Sequence, residues 1–180
     1  MPQRALVLLA HKFEEIEATC PIDLLRRAEV EVITASCEST LEVTGRSSIT
    51  LLADQFLADV NPPDFDLLVL PGGPSVFDLR ENSQVLSLIK EFQHSGKPIG
   101  AICAAPLLLL DAGLIEGKTY TAHGSVGDEL PNMVEDQTVV SDENLITSRG
   151  AGTAVEFGLS LVARLQGEII AEEIRQSIHA

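Results

Sequence analysis

A chain of 180 residues, 45% of them hydrophobic, has the length and apolar content of one domain, so residues 1–180 are expected to fold as a single unit. Twelve Lys and Arg stand against 27 Asp and Glu, a net charge of −15. Such a field favours solubility and repels nucleic acid and anionic membrane, which argues against stable nucleic-acid binding and a membrane role. Cys20, Cys37 and Cys103 are odd in number and widely spaced, with no CxxC pair, so neither a disulfide framework nor a zinc site is expected. Met1-Pro2-Gln3-Arg4 leads into an apolar run without a signal-peptide pattern, and no apolar stretch reaches membrane-spanning length. A cytoplasmic, reducing location is the expectation.

Ala5–Leu9 is wholly apolar, the pattern of a parallel strand buried on both faces. A helix is predicted over Glu14–Ala28, kinked or divided by Pro21. Val30–Ala35 reads as a second strand, and Leu41–Leu52 as a hairpin or edge strand turning at Thr44-Gly45-Arg46. A third buried strand, Asp66–Leu70, runs into Pro71-Gly72-Gly73-Pro74, while Asn61-Pro62-Pro63 reads as a loop. An amphipathic helix over 82–94 and a strand over 98–102 precede Cys103, and a leucine-rich helix over 105–112 follows it. Short β runs are predicted at Lys118–Ala122, Thr138–Val140 and Leu145–Thr147. Ser148–Thr153 is a turn opening a helix through Leu165, and Glu168–Ile178 is the last helix. With few residues after it, no further helix is expected to guard a pocket. Strand and helix alternate throughout, which predicts an α/β, three-layer αβα sandwich with a mostly parallel sheet.

Cys103 marks where chemistry would sit. The strand Pro98-Ile99-Gly100-Ala101-Ile102 delivers the thiol onto a sharp strand-to-helix turn, a nucleophile elbow with cysteine for serine. The first free N–H groups of a helix would favour its thiolate. Sites in such sheets form at the carboxyl ends of strands. There Ala10–Glu17, Pro71-Gly72-Gly73, Cys103-Ala104 and Ala122-His123-Gly124 together offer a thiol, carboxylates, an imidazole and glycine N–H groups. That set suits covalent attack on a carbonyl, which needs a proton relay and oxyanion donors. A carboxyl beside a thiolate is expected to hold its proton.

The motifs resemble those of the ThiJ/PfpI superfamily. Ala101-Ile102-Cys103-Ala104-Ala105-Pro106 is similar to its cysteine elbow. Arg4–Val7 leading to Glu14-Glu15-Ile16-Glu17, then Leu70–Gly73 and Thr147–Thr153, match in order the branch of the Parkinsonism-associated protein deglycase and the bacterial YajL-type proteins. The resemblance spans residues 4 to 165 and implies a flavodoxin-like fold, usually as a homodimer, with no metal or organic cofactor. It implies Cys103 as nucleophile, with Glu17 hydrogen-bonding its sulfur and His123 as a proton relay. Gly73 and Ala104 would be oxyanion donors, with Gly72 in the same pocket turn. Arg27 and Arg46 would contact a sulfinate or substrate anion, often across the dimer. A core cysteine, a solvated helix carboxylate, a loop histidine, a tight glycine turn and surface ion pairs are the structural alternatives for these residues. The match is poorest at His123, whose neighbours Gly124-Ser125 depart from that branch. Arg149 lies in a matching segment, where helix entry, a dimer contact or catalysis would each fit. His11, His94 and His179 have no partner at metal-ligand spacing, and Cys20 and Cys37 read as packing residues.

Ala104 stands where the peptidase branch carries histidine, which disfavours a Cys-His peptidase or amidotransferase. The resemblance then implies a glyoxalase or deglycase acting on methylglyoxal or glyoxal, free or as early adducts on protein amines and thiols. The alternative is an oxidative-stress sensor or redox-regulated chaperone working through a Cys103 sulfinate. A hydratase or lyase acting on isonitriles is a third, weaker reading.

Overall fold

The structure, a computed structural model, describes residues 2–180. The first strand, β1 (Arg4–Leu9), is followed by helix α1 (Glu15–Arg27), strand β2 (Glu31–Ser36), and the hairpin β3 (Glu42–Thr44) and β4 (Thr50–Leu52). The short edge strand β5 (Gln55–Phe56) and β6 (Leu67–Leu70) lead to helices α2 (Ser75–Leu79) and α3 (Ser83–His94). Then come β7 (Ile99–Ile102), α4 (Pro106–Asp111), β8 (Val139–Asp142), β9 (Leu145–Ser148), α5 (Ala154–Gln166) and α6 (Glu168–Ser177).

Seven strands form one sheet in the order β5-β2-β1-β6-β7-β9-β8, parallel except where β8 runs against β9. The alternation along β1 divides the core. Leu6 and Leu8 face the layer of α3 and α4, whereas Ala5, Val7 and Leu9 face that of α1, α5 and α6. The α/β, flavodoxin-like three-layer sandwich is therefore the architecture of this chain. The two strands drawn from the middle, β1 and β6, are neighbours, and the chain leaves β1 toward β2 on one side and β6 toward β7 on the other. Such a switch opens a crevice at the carboxyl edge.

Three local expectations are corrected. Pro21 does not divide α1, which runs unbroken from Glu15 to Arg27 although Pro21 has no N–H to give the Glu17 carbonyl. Pro21, Leu24 and Leu25 are buried against the sheet layer, and that packing outweighs the missing bond. Lys118–Ala122 is not a strand. Two of its N–H groups go to side chains, Thr119 to Asp142 Oδ2 (2.7 Å) and Thr121 to Thr147 Oγ1 (2.9 Å), and Lys118 N–H turns back to the Ile115 carbonyl (3.1 Å), so no ladder forms. Asn61-Pro62-Pro63 enters a 3-10 turn over Pro62–Asp64 rather than an open loop. Two elements escaped the sequence reading: β5, two residues long, and α2, a single short helix beyond the glycines.

Candidate active site at the Cys103 elbow

Cys103 follows β7 with φ of +66°, a left-handed conformation that costs a side-chain-bearing residue about 1–2 kcal/mol. Backbone bonds hold it there. Its N–H donates to the Ser148 carbonyl (2.9 Å) at the end of β9, and its own carbonyl accepts from His123 N–H (2.9 Å). The side chain is half-buried, packs against both faces of the core and meets the Glu17 carboxyl.

Glu17 comes from the first turn of α1 and is 1% exposed. Glu14 places it: its carboxylate caps the helix by accepting Glu17 N–H (2.9 Å), while Glu14 N–H donates to the Gly72 carbonyl (3.0 Å). Glu17 Oε2 in turn accepts Gly72 N–H (3.0 Å), and its carboxyl meets the Cys103 side chain. Gly72 sits between them. A Cβ there would fall 2.6 Å from Cys103 Cβ and 2.6 Å from Glu17 Oε2, so only glycine admits this approach. Gly73, at φ of +101°, makes the sharp exit from β6.

Burial pushes the Glu17 carboxyl up to about 7, helped by the charge on Glu14 and opposed by the Cys103 hydrogen bond, Gly72 N–H and Arg46. The thiol departs from the sequence expectation. Burial first, then the Glu17 charge and hydrogen bond, push Cys103 up to about 12, against the weaker pull of Gly73 and Ala104 N–H groups. Helix α4 is too short to reverse this. Two adjacent buried acids cannot both ionise cheaply, so the pair keeps at least one proton at neutral pH. Ionising the sulfur requires that proton to remain on Glu17.

The other predicted residues divide. Gly73 and Ala104 present N–H groups to the sulfur, whereas the Gly72 N–H is committed to Glu17. Arg46, in the turn of the β3–β4 hairpin, is tied by its N–H to the Phe13 carbonyl (2.9 Å), and its charge reaches Glu17. Arg27 is not brought to the pocket within this chain. It pairs with Asp23 (2.8 Å) on the surface, about 15 Å along α1 from Glu17 at roughly 1.5 Å per residue. His123 adjoins the elbow through its backbone, but its ring is exposed and accepts Ser125 N–H at Nδ1 (3.1 Å), which leaves Nε2 as the protonated nitrogen of the neutral ring. A Cβ on Gly150 would lie 3.3 Å from His123 Cδ2 and 3.8 Å from Glu17 Oε1, so Gly150 completes the wall between them. Arg149 borders the same opening. Sequence reasoning included Glu14 and Glu15 in a segment at the site edge and Ser148 and Gly150 in a matching motif, but gave none of the four its part in the site. Glu15 fastens the hairpin turn by accepting Ser47 N–H (2.6 Å), although a Glu-rich helix start signalled a cap. No cluster of three His, Cys, Asp or Glu that could hold a metal occurs among the described residues. A larger groove of about 600 Å³, lined by Arg164, Glu168 and Arg175, shares no residue with this site.

An open α/β sheet with a strained cysteine between strand and helix, backed by a buried carboxyl, defines a nucleophile-elbow protein of the cysteine type. The chain belongs to the DJ-1/PfpI family, whose model matches residues 3–164. It is 39% identical to Protein dj-1beta of Drosophila melanogaster, over 99% of this chain and 97% of that one. The crystal structure of that protein superposes with a TM-score of 0.96, covering 100% of this chain and 99% of the other. A Pyrococcus abyssi protein named as a deglycase is 34% identical over 83% of this chain and 91% of its own. No helix of the described residues is long and apolar enough to cross a membrane.

Proposed function

We propose that this chain is a cofactor-independent, cysteine-dependent glyoxalase or deglycase acting on methylglyoxal or glyoxal, free or as early adducts on protein amines and thiols. One observation carries the reading: a thiol at a strained elbow faces a buried carboxyl pushed up to about 7, poised to give and take a proton. The family and the deglycase relative point the same way.

The Cys103 thiol passes its proton to the Glu17 carboxylate as its sulfur adds to the aldehyde carbon, and Glu17 hands that proton on to the carbonyl oxygen to give a hemithioacetal. Glu17, now a carboxylate, removes the hydrogen from that carbon, and the proton is returned to the neighbouring carbon through an enediol. His123 relays it, its neutral ring presenting Nε2–H to the opening. The result is a lactoyl thioester, or a glycoloyl one from glyoxal. Water cleaves it, releasing lactate or glycolate and regenerating the thiol. Gly73 and Ala104 N–H groups oppose the charge on sulfur and oxygen in the first step. The protein works in the cytoplasm as a homodimer. Exposed Ile16 (53%), Ile49 (54%) and Leu52 (72%), on α1 and the β3–β4 hairpin, are the apolar surface a second copy would cover.

The sulfinate reading uses the same thiol, and Arg46 favours it as a charge near the pair. The distance to Arg27 weakens it, because only a partner subunit could bring that guanidinium in. The assay is lactate formation from methylglyoxal without glutathione. Wild type is expected to form it, and Cys103→Ser at full rate would overturn the mechanism.

A further inference from the structure

Beside the Cys103 crevice lie two cavities, each of about 400 Å³. One is lined by His123, Gly124 and the Arg149–Thr153 segment. The other is lined by Ala122, Leu130, Met133, Asp128 and Glu135, and it meets the first at Gly124 and Arg149. Methylglyoxal would occupy a small part of the first. The space beyond the reacting carbonyl is therefore built for a longer molecule, and its electrostatics describe that molecule's far end.

Arg149 decides the matter. Its guanidinium makes no ion pair and no hydrogen bond with the described residues, although acids outnumber bases more than twofold in this chain. Its exposure is not that of a remote surface residue. It stands between Ser148, whose carbonyl holds the Cys103 N–H, and Gly150, which touches the His123 ring and borders Glu17. Around the first cavity it is the one permanently charged side chain among the described residues. Asp128 and Glu135 line the second cavity together with Arg149, so an anion is favoured on the first-cavity side of the guanidinium, whose wall carries no carboxylate. Arg46 faces the Glu17 side of the crevice instead, so the two arginines address different ends of a bound molecule.

We propose that the cavity at Arg149 is a subsite for the anionic end of a carbonyl substrate, a carboxylate or phosphate several bonds from the aldehyde that meets Cys103. The planar guanidinium fork matches either group. The inference rests on carbonyl addition at Cys103 as set out above, and it deepens that reading by naming the substrate class. In that addition the S–C bond forms, the carbonyl π bond breaks, and the thiol proton ends on oxygen. The step is reversible, and its product shields the sulfur.

That shielding is the test. Wild type, Arg149→Gln and, as a control in the separate groove, Arg175→Gln are incubated with an aldehyde, and Cys103 alkylation by iodoacetamide is followed by intact mass. Butanal is compared with 4-oxobutanoate for the carboxylate arm, and glyceraldehyde with glyceraldehyde 3-phosphate for the phosphate arm. In wild type one anionic aldehyde is expected to half-protect Cys103 at ~10-fold lower concentration than its neutral partner, the order a charge-assisted hydrogen bond supplies. The arm showing the preference identifies the anion. Arg149→Gln should erase it, and Arg175→Gln should keep it. Equal protection by charged and neutral aldehydes, protection by neither, or a preference that survives in Arg149→Gln overturns the subsite. Lactate formation from methylglyoxal is measured on the same samples. Turnover without a preference overturns the subsite alone; a preference without turnover overturns the glyoxalase reading alone.

Discussion

Cys37 and Cys103 invite comparison because so much about them is alike. Each follows a parallel strand at the carboxyl edge, each is half-buried and free, and each thiol is pushed up to about 12. Burial is the leading cause for both, with a glutamate next: Glu38 for Cys37 and Glu17 for Cys103. Cys37, however, extends the β1–β2 ladder by one bond, its N–H donating to the Leu9 carbonyl (2.8 Å). Cys103 is bent into the left-handed region, has two backbone N–H groups facing its sulfur, and touches a carboxyl that itself titrates near neutrality. Thiol acidity alone therefore does not set Cys103 apart. What distinguishes Cys103 is a second acid able to hold the proton that the sulfur gives up.

The comparison breaks most plainly by deleting each thiol. Cys103→Ser is expected to bring lactate formation to the uncatalysed rate, whereas Cys37→Ser stays within about twofold of wild type, because serine preserves its packing. Equal losses would dissolve the distinction. Glu17→Gln comes next, with a drop in kcat/KM of ~10²–10⁴, the range of a general acid–base group.

The same variant has a stability signature with a definite sign. The Glu17 carboxyl is raised from 4.5 to about 7 in the folded protein, so between these values the folded state binds more protons than the unfolded one. Its contribution to stability is present in full below pH ~4.5 and is lost as pH rises through about 7, on the order of 3 kcal/mol. Glu17→Gln should remove that slope. Its denaturant midpoint is then expected to exceed wild type at pH 8 and to match it near pH 4.5. At high pH the variant also removes the charge that holds the thiol up, so Cys103 alkylation should titrate below about 12 while Cys37 is unaffected. An unchanged Cys103 profile would separate the carboxyl from the sulfur.

Gly72→Ala sharpens the geometric half of the contrast. The added methyl would meet Cys103 Cβ and Glu17 Oε2 at 2.6 Å and the Ile102 carbonyl at 2.8 Å, and backbone cannot yield as a side-chain tip does. A destabilisation of ~1–3 kcal/mol is expected with a loss of kcat, while Cys37 reactivity stays constant. A fully active Gly72→Ala would show that thiol and carboxyl need not approach so closely.

The residues that made the fold readable were those whose pattern reflects a local rule. Ala5–Leu9 and Ile99–Ile102 are buried on both faces and show it as unbroken apolar runs, and the resemblance placed both in one sheet. The amphipathic pattern over 82–94 located α3 to within a residue, and Asn82 proves to be its cap, accepting Gln84 and Val85 N–H. Lys118–Ala122 has strand-like composition, but its partners are the side chains of Asp142 and Thr147, which no local pattern encodes. The same holds for the site. Cys103 and Glu17 could be named from their motifs. That Arg27 turns to Asp23, that the Gly72 N–H is spent on Glu17, and that burial outweighs the helix-end field at Cys103 are tertiary facts.

The smallest effect tests the elbow itself, and there the two cysteines should differ in sign. Replacing either by alanine removes the thiol but retains Cβ. At Cys103 that Cβ remains in the left-handed region, so going on to glycine relieves strain of about 1–2 kcal/mol at a cost in chain entropy of about 0.4–1 kcal/mol. Cys103→Gly should therefore be more stable than Cys103→Ala by roughly 0.5–1 kcal/mol. Cys37 is not among the residues of positive φ, so glycine there brings only the entropy cost and the loss of contact, and Cys37→Gly should be less stable than Cys37→Ala. At this chain length each kcal/mol moves the melting temperature by about 2–4 °C, enough to read the reversal by calorimetry. If alanine is the more stable choice at both positions, the elbow stores no strain, and the positioning of Cys103 rests on its neighbours alone.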